Sequence, residues 1–481
     1  MMPVMERPVR LRAASARPAG HCVNDVHSRL NPTTVAEIVR PSTIDDLRIA
    51  ILRARDAGLP VAIAGGQHSM GGQQFASDAM LIDTRSLDRV LAFDDERGLL
   101  TVEAGIQWPA VAAYLDGAAS ARQARWGIVQ KQTGADRLCL GGALSCNAHG
   151  RGLTLKPIVQ QVEEFDLMTG NGCVRTCSRT VNPDLFRLAI GGYGMFGVIT
   201  RVVLRLQPAV KVRRVVELRG TGGLTDAFER RLRDGFLYGD FQFAIDAGDE
   251  SFLRRGVFSC YEPVDATTPL TEEPVRFTPA EWQRLVLDAH VNKHRAFAIY
   301  STRYLASSGQ IYRVDAQLTT PYLDNYHEAV DLACGAVVPG SEMITEVYVP
   351  RTTLTEFMEA ARAELRRHEA NVIYGTIRLI ERDDETFLPW ARDRYSCVVF
   401  NLHVDHTTEA ISRAAETFRA LIDLAIARGG SFYLAYHRWA RRDQIEACYP
   451  QMREWLVQKR LHDPDERFQS DWYRHLRELF A

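Results

Sequence analysis

The chain has 481 residues, 46% hydrophobic and 25% charged, with a formal net charge of −2 at pH 7. That length exceeds one ordinary core and predicts at least two domains of a soluble globular protein. The near-neutral charge supplies no field to recruit nucleic acid or an anionic membrane, and no stretch is long and apolar enough to span a bilayer.

Residues 1–24 read as a loose tail. Pro3, Pro8, Pro18 and several arginines occur without an apolar core segment, so a secretory signal is not expected, and an arginine-rich organelle presequence stays open. Nine cysteines are scattered without any Cys-x-x-Cys pair, which predicts a reducing, cytoplasmic setting. Ser42-Thr43-Ile44-Asp45 predicts a helix start, with Ser42 as the cap and Asp45 and Asp46 in the first turn. Ile44, Leu47 and Ile51 form its apolar stripe, and Gly58 suits the residue after its end.

Val61–Ala64 then reads as a short buried strand entering the loop Gly65-Gly66-Gln67-His68-Ser69-Met70-Gly71-Gly72. The glycines allow positive φ and close approach of a ligand to backbone N–H groups, Ser69 adds a hydroxyl, and His68 brings an imidazole. An ordinary strand-connecting turn would have the same composition. Strand-like runs follow at 80–83, 90–93 and 99–102, with a helix near 109–115, an α+β alternation.

A second glycine-rich stretch runs from Thr133-Gly134-Ala135 to Asn147-Ala148-His149-Gly150, with Gly141, Gly142 and Ser145 inside it. Gly192 to Gly197 has the spacing of a dinucleotide-binding fingerprint, but Val198-Ile199 and the β-branched residues after them predict a strand rather than the required helix. Beyond 209 strands and helices alternate, as in 342–349 followed by 355–368. His290 and His294 could share one helical face, and His403 and His406 end an apolar run. Both pairs read as ordinary surface or chance clustering rather than metal ligands.

Together these motifs resemble the vanillyl-alcohol-oxidase-type flavoproteins with a PCMH-type FAD-binding domain, nearest to alditol and aldonolactone oxidases and to the decaprenylphosphoryl-ribose oxidases. The resemblance implies an α+β fold: an FAD-binding domain of two subdomains over 25–208, a substrate cap over 209–430, and a return to the FAD domain over 431–481. It implies FAD held by Gly65, Gly66, Gln67, Ser69, Met70, Thr133, Gly134, Gly141, Gly142, Ser145, Asn147, His149 and Gly150, with Val198 and Ile199 on the adenine side. His68 matches the histidine bonded to the flavin in many relatives; the alternative is an imidazole beside a non-covalent flavin. Gly134 matches a small residue that admits oxygen, and Ala135 stands where a second flavin-linking cysteine occurs in other relatives.

Within the same resemblance, Arg378 matches an arginine that meets substrate near the flavin, or else forms a surface salt bridge. Thr376 replaces the glutamate of that pattern. Tyr436 falls where relatives carry an active-site lysine, with His437 beside it. These two and His149 are the candidates to exchange a proton, or they pack structurally. The implied activity is hydride transfer from a hydroxyl-bearing carbon of a sugar, polyol, lactone or similar alcohol to FAD, with oxygen giving hydrogen peroxide. A dehydrogenase using another acceptor and an inactive flavin-binding component are the alternatives.

Overall fold

The computed structural model describes residues 20–120, 126–134, 136–318, 323 and 325–481; Ala135 and most of the N-terminal tail lie outside them. After a short antiparallel pair of strands, His21–Val23 with Thr33–Val35, the chain forms β1 (Glu37–Val39), α1 (Ile44–Asp56), β2 (Val61–Ala64) and β3 (Met80–Asp83). β3 pairs in parallel with both other strands and so lies between them. The cap of α1 is Thr43, one residue beyond the predicted Ser42. Thr43 accepts from the Asp46 N–H while the Asp46 side chain accepts from the Thr43 backbone, and Ser42 donates its hydroxyl and its backbone N–H to the same carboxylate. Leu47, Ala50, Ile51 and Ala54 of α1 are buried against Val61, Met80 and Ile82, which fixes β2 and the loop that leaves it.

A five-stranded antiparallel sheet follows, built from β4 (Val90–Asp94), β5 (Leu99–Glu103), β6 (Val162–Met168), β7 (Val174–Ser178) and β8 (Val198–Arg205) in the order β7-β6-β8-β5-β4. Between β5 and β6 lie α2 (Trp108–Ser120) and α3 (Leu140–Ser145); α4 (Pro183–Ala189) precedes β8. The strand β8, directly after Gly197, removes the dinucleotide fingerprint. The helix α3 inside the glycine stretch is not evident from its composition. Gly141 permits it: a Cβ there would stand 2.9 Å from the Ala104 Cβ.

The next 220 residues or so build an eight-stranded sheet whose paired strands are all antiparallel. In chain order its elements are β9 (Lys211–Gly220), α5 (Leu224–Arg233), β10 (Tyr238–Phe243), β11 (Arg255–Val264), α6 (Pro279–Val291), α7 (Lys293–Ala306), β12 (Ile311–Arg313), α8 (Tyr326–Cys334), β13 (Gly340–Pro350), α9 (Leu354–Arg367), β14 (Asn371–Ile380), β15 (Tyr395–Asp405), α10 (Thr408–Ile426) and β16 (Ser431–Phe432). The strand order is β12-β9-β11-β10-β14-β15-β13-β16. His290 and His294 do not share a helical face, because α6 ends at Val291 and α7 begins at Lys293.

After β16 the chain runs back toward the first sheet through α11 (Arg442–Cys448), α12 (Met452–His462) and α13 (Asp471–Leu479). Val61 donates to Arg467 O at 2.7 Å and accepts from Gln469 N at 2.9 Å, a parallel bridge beside β2. Met70 N–H donates to Ala435 O at 3.1 Å, tying the 65–72 loop to the same returning segment. All nine cysteines are free thiols. No helix among the described residues is long and apolar enough to cross a membrane.

Candidate active site

The loop after β2 uses its glycines differently from the simplest expectation. Only Gly72, at φ +74°, and the non-glycine Gln67, at φ +59°, take the left-handed conformation. Gly66 and Gly71 are needed for proximity to protein instead. A Cβ at Gly66 would run into Arg137 O, and one at Gly71 into Tyr436 O. Gln73 locks that approach, accepting from Gly71 N–H at 2.9 Å and donating to Leu434 O at 2.6 Å and Tyr436 O at 3.1 Å.

Two cavities meet at this loop. The narrow one, about 90 Å³, is lined by Gly65, Gly66, Gln67, His68, Ser69, Gly141, Gly142, Ser145 and Ile199. The wide one, about 1050 Å³, is lined by His68, Ser69, Met70, Thr133, Gly134, His149, Arg378 and Tyr436. His68 and Ser69 belong to both walls. The His68 ring packs edge-on to His27 with centroids 4.9 Å apart. Burial, the neighbouring His27 and Arg137 together depress the His68 imidazole to about 3, so it is neutral near pH 7.

Four predicted residues lie elsewhere. Asn147 is wholly buried and spends its amide on protein: Nδ2 donates to Asp383 at 2.8 Å and Oδ1 accepts from Val159 N–H at 3.3 Å. Gly150 packs on the Lys131 backbone, and Val198 belongs to the core beneath α1. None of the three lines either cavity. His437 is also absent from both walls; its ring stacks on Trp439 with centroids 4.1 Å apart. Burial, the largest effect, lowers it to about 4.

The residue that organises the wide cavity is Glu346, which sequence reasoning missed. β13 presents it beside His149, whose Nε2 is 2.6 Å from Oε1. Tyr348 OH at 2.5 Å and Cys397 Sγ at 3.2 Å reach the same oxygen, and Tyr436 OH donates to Oε2 at 3.0 Å. Burial alone would raise this carboxyl, yet His149, Tyr348 and Cys397 together hold it at about 2. Burial and the adjacent Glu346 charge push the Tyr436 phenol well above its usual range, so it is a donor rather than a base. One signal was available: two glutamates, 342 and 346, sit four residues apart on one face of a strand-like run.

Arg378 enters from β14, where the ladder places it opposite Cys397, itself opposite Tyr348. It is buried and makes no ion pair among the described residues, and its Nε has no hydrogen-bond partner. The surface salt bridge is therefore excluded. Although burial works against it, the surrounding Tyr374, Cys397, Asp240 and Glu346 keep the guanidinium charged. Thr376 is fully buried one ladder step away, and the carboxylate its position lacks reaches the cavity from Glu346.

Residues 35–178 match the family described as the FAD binding domain. This chain carries an FAD-binding domain. The match covers β2, its loop and the whole glycine stretch 133–150. The cavity walls fit the cofactor: Gly142 faces open space where a Cβ would meet nothing within 4 Å, and Gln74 Oε1, Gln132 Oε1 and Thr133 Oγ1 are buried without hydrogen bonds. The flavoprotein is 33% identical to cytokinin dehydrogenase 9 of Oryza sativa subsp. japonica over 38% of this chain and 34% of that protein. Cytokinin dehydrogenase 6 of the same plant is 32% identical, again over 34% of its length, so the chain spans about a third of these two relatives. L-gulono-1,4-lactone dehydrogenase of Mycobacterium tuberculosis (strain ATCC 25618 / H37Rv) is 24% identical over 91% of this chain and 95% of its own.

Proposed function

We propose that this flavoprotein oxidises a hydroxyl-bearing carbon of a sugar, polyol, lactone or similar alcohol. The observation that carries this is the buried, unpaired Arg378 facing the same cavity as the Glu346–His149–Tyr436 cluster. FAD, when bound, supplies the acceptor for the hydride. Arg378 stabilises negative charge growing on the substrate oxygen as the hydride departs. Tyr436 donates to the substrate oxygen or to Glu346 and so sets its position. The hydroxyl proton leaves to water in the wide cavity, while the Glu346 carboxylate, bonded to His149 and Tyr436, orients the phenol against the substrate oxygen. His437 takes no part.

Residues 25–208 would form the FAD-binding part, 209–430 the substrate cap and 431–481 the returning segment. His68 is the proposed point of covalent attachment, supported by its neutral, buried ring at the junction of the two cavities. Gly134 faces open space with φ +88°, which supports access for oxygen and hence peroxide formation. A second acceptor is favoured by the lactone dehydrogenase, similar along nearly its whole length, whose name denotes a dehydrogenase.

Anaerobic mixing of the purified holoprotein with lactones, polyols and sugars tests the reaction. Bleaching of the flavin by one of them is expected, and admission of air then distinguishes peroxide formation from slow reoxidation. If no alcohol bleaches it, the oxidation is wrong and a binding role takes its place. Acid precipitation beside His68→Ala tests the bond: colour should stay with the original polypeptide and leave with the variant.

A further inference from the structure

Four residues before Glu346, about 13 Å back along the strand, β13 carries a second buried carboxylate, Glu342. Three imidazoles converge on it from three other elements. His290 comes from the last turn of α6, His327 from the first turn of α8, and His403 from β15 directly across the ladder. His290 Nε2 is 2.9 Å and His403 Nδ1 3.4 Å from Oε1, while His327 Nδ1 touches Oε2. The carboxylate and the His290 and His327 side chains are only 3–4% exposed.

Three features set this cluster apart from a plain ion-pair network. First, His290 Nδ1 is 2.8 Å from Val286 O, so its N–H is spent there and the Nε2 lone pair turns toward another acceptor, Glu342. Metal-bound imidazoles are held in this way, by a carbonyl behind the ring. Second, His327 Nδ1 and Glu342 Oε2 touch without hydrogen-bond alignment, and both atoms are buried with no hydrogen bond elsewhere. That contact pairs the two groups with each other, fixes the carboxylate, and leaves Oε1 to face His290 and His403. Third, ligands about 2.0–2.2 Å from a tetrahedral ion stand roughly 3.3 Å apart. The observed 2.9 and 3.4 Å separations match that spacing.

We propose that Glu342, His290 and His403, whose ligand atoms all lie within 4.8 Å of one another, bind one divalent transition-metal ion of the zinc class, with His327 steadying the carboxylate from its other oxygen. Two imidazoles with one carboxylate suit such ions and disfavour calcium or magnesium, which take all-oxygen sets. His290, His327 and Glu342 also line the wide cavity, so the ion faces the space available to a substrate. The site stands apart from the redox chemistry and is tested without it.

The tag-free full chain with FAD bound is stripped with a chelator, titrated with zinc, and analysed for zinc and FAD together. One zinc per chain is expected. Glu342→Gln and the pair His290→Ala with His403→Ala should keep FAD and weaken zinc binding about 100-fold or more. Failure of the original protein to retain zinc overturns the site, as does a double variant that binds zinc equally well. Should the variants not fold, anomalous scattering at the zinc edge from crystals of the original protein decides: a peak among Glu342, His290 and His403 supports the site, and its absence there overturns it.

Discussion

The Glu346 carboxylate accepts from His149 Nε2 at 2.6 Å, joining β13 to the end of the glycine stretch across 197 residues of sequence. The bond brings a strand of the eight-stranded sheet to the FAD-binding domain and places a permanent negative charge in the wall of the wide cavity.

Glu346→Gln keeps the shape of that contact and removes the charge. Hydrogen bonds to charged groups contribute about 1.5–3 kcal/mol, roughly 10- to 100-fold in rate. Anaerobic stopped-flow should show flavin reduction slowed roughly 10- to 100-fold with FAD still bound. Tyr436→Phe, which loses one donor to the same carboxylate, should be slowed about 10-fold.

Removing the buried guanidinium tests charge stabilisation. Arg378→Met should lower the reduction rate by about 100- to 1000-fold, the range for losing one group aimed at a developing oxyanion. Arg378→Lys keeps the charge but not the planar fork and should recover only part of it. Equal rates in all three proteins would remove Arg378 from the chemistry.

Two glycine substitutions should have opposite effects on stability. Gly71→Ala drives a methyl into the Tyr436 carbonyl and should lower Tm, at an overpacking cost of about 1–3 kcal/mol. Gly142→Ala lies in α3 with no neighbour within 4 Å, so helix propensity should stabilise the FAD-free protein by about 1 kcal/mol. Its methyl projects into the narrow cavity, and FAD content after purification should fall.

His437 predicts part of the acid sensitivity. Its folded value, about 4, lies below the ordinary 6.5. Between these values the unfolded chain gains a proton that the folded chain refuses, so stability is complete above 6.5 and is lost as pH falls toward 4. His437→Phe keeps the stack on Trp439 and removes this linkage. Denaturant unfolding at pH 7 and pH 4.5 should show the variant losing about 2 kcal/mol less than the original.

The strand Val61–Ala64, its loop and β8 were legible because local composition dictates them: a β-branched run, a glycine turn, and no helix after Gly197. The glycines, His68 and Ser69 that line the narrow cavity stood out by the same local signals. Asn147 and Gly150 share that composition yet serve packing, a distinction set by Asp383 and Lys131, which local pattern does not bring near. Glu346 and Glu342 were missed for a related reason. Each looks like an alternating strand residue until α6, α8, β15 and the 133–150 segment converge on it. His437 was misplaced because adjacency to Tyr436 says nothing of which way a ring turns when Trp439 is there to receive it.

The bridge from Val61 to residues 467 and 469 sets the order of events in synthesis. Arg467, 408 residues after Leu59, also donates to the carbonyl of that residue just before β2. A ribosome therefore finishes the glycine loop long before it makes the segment that braces the strand feeding it. Loading of FAD onto this scaffold belongs after translation. A premature stop shortly before residue 467 would leave both glycine-rich stretches in the product while depriving β2 of its outer support.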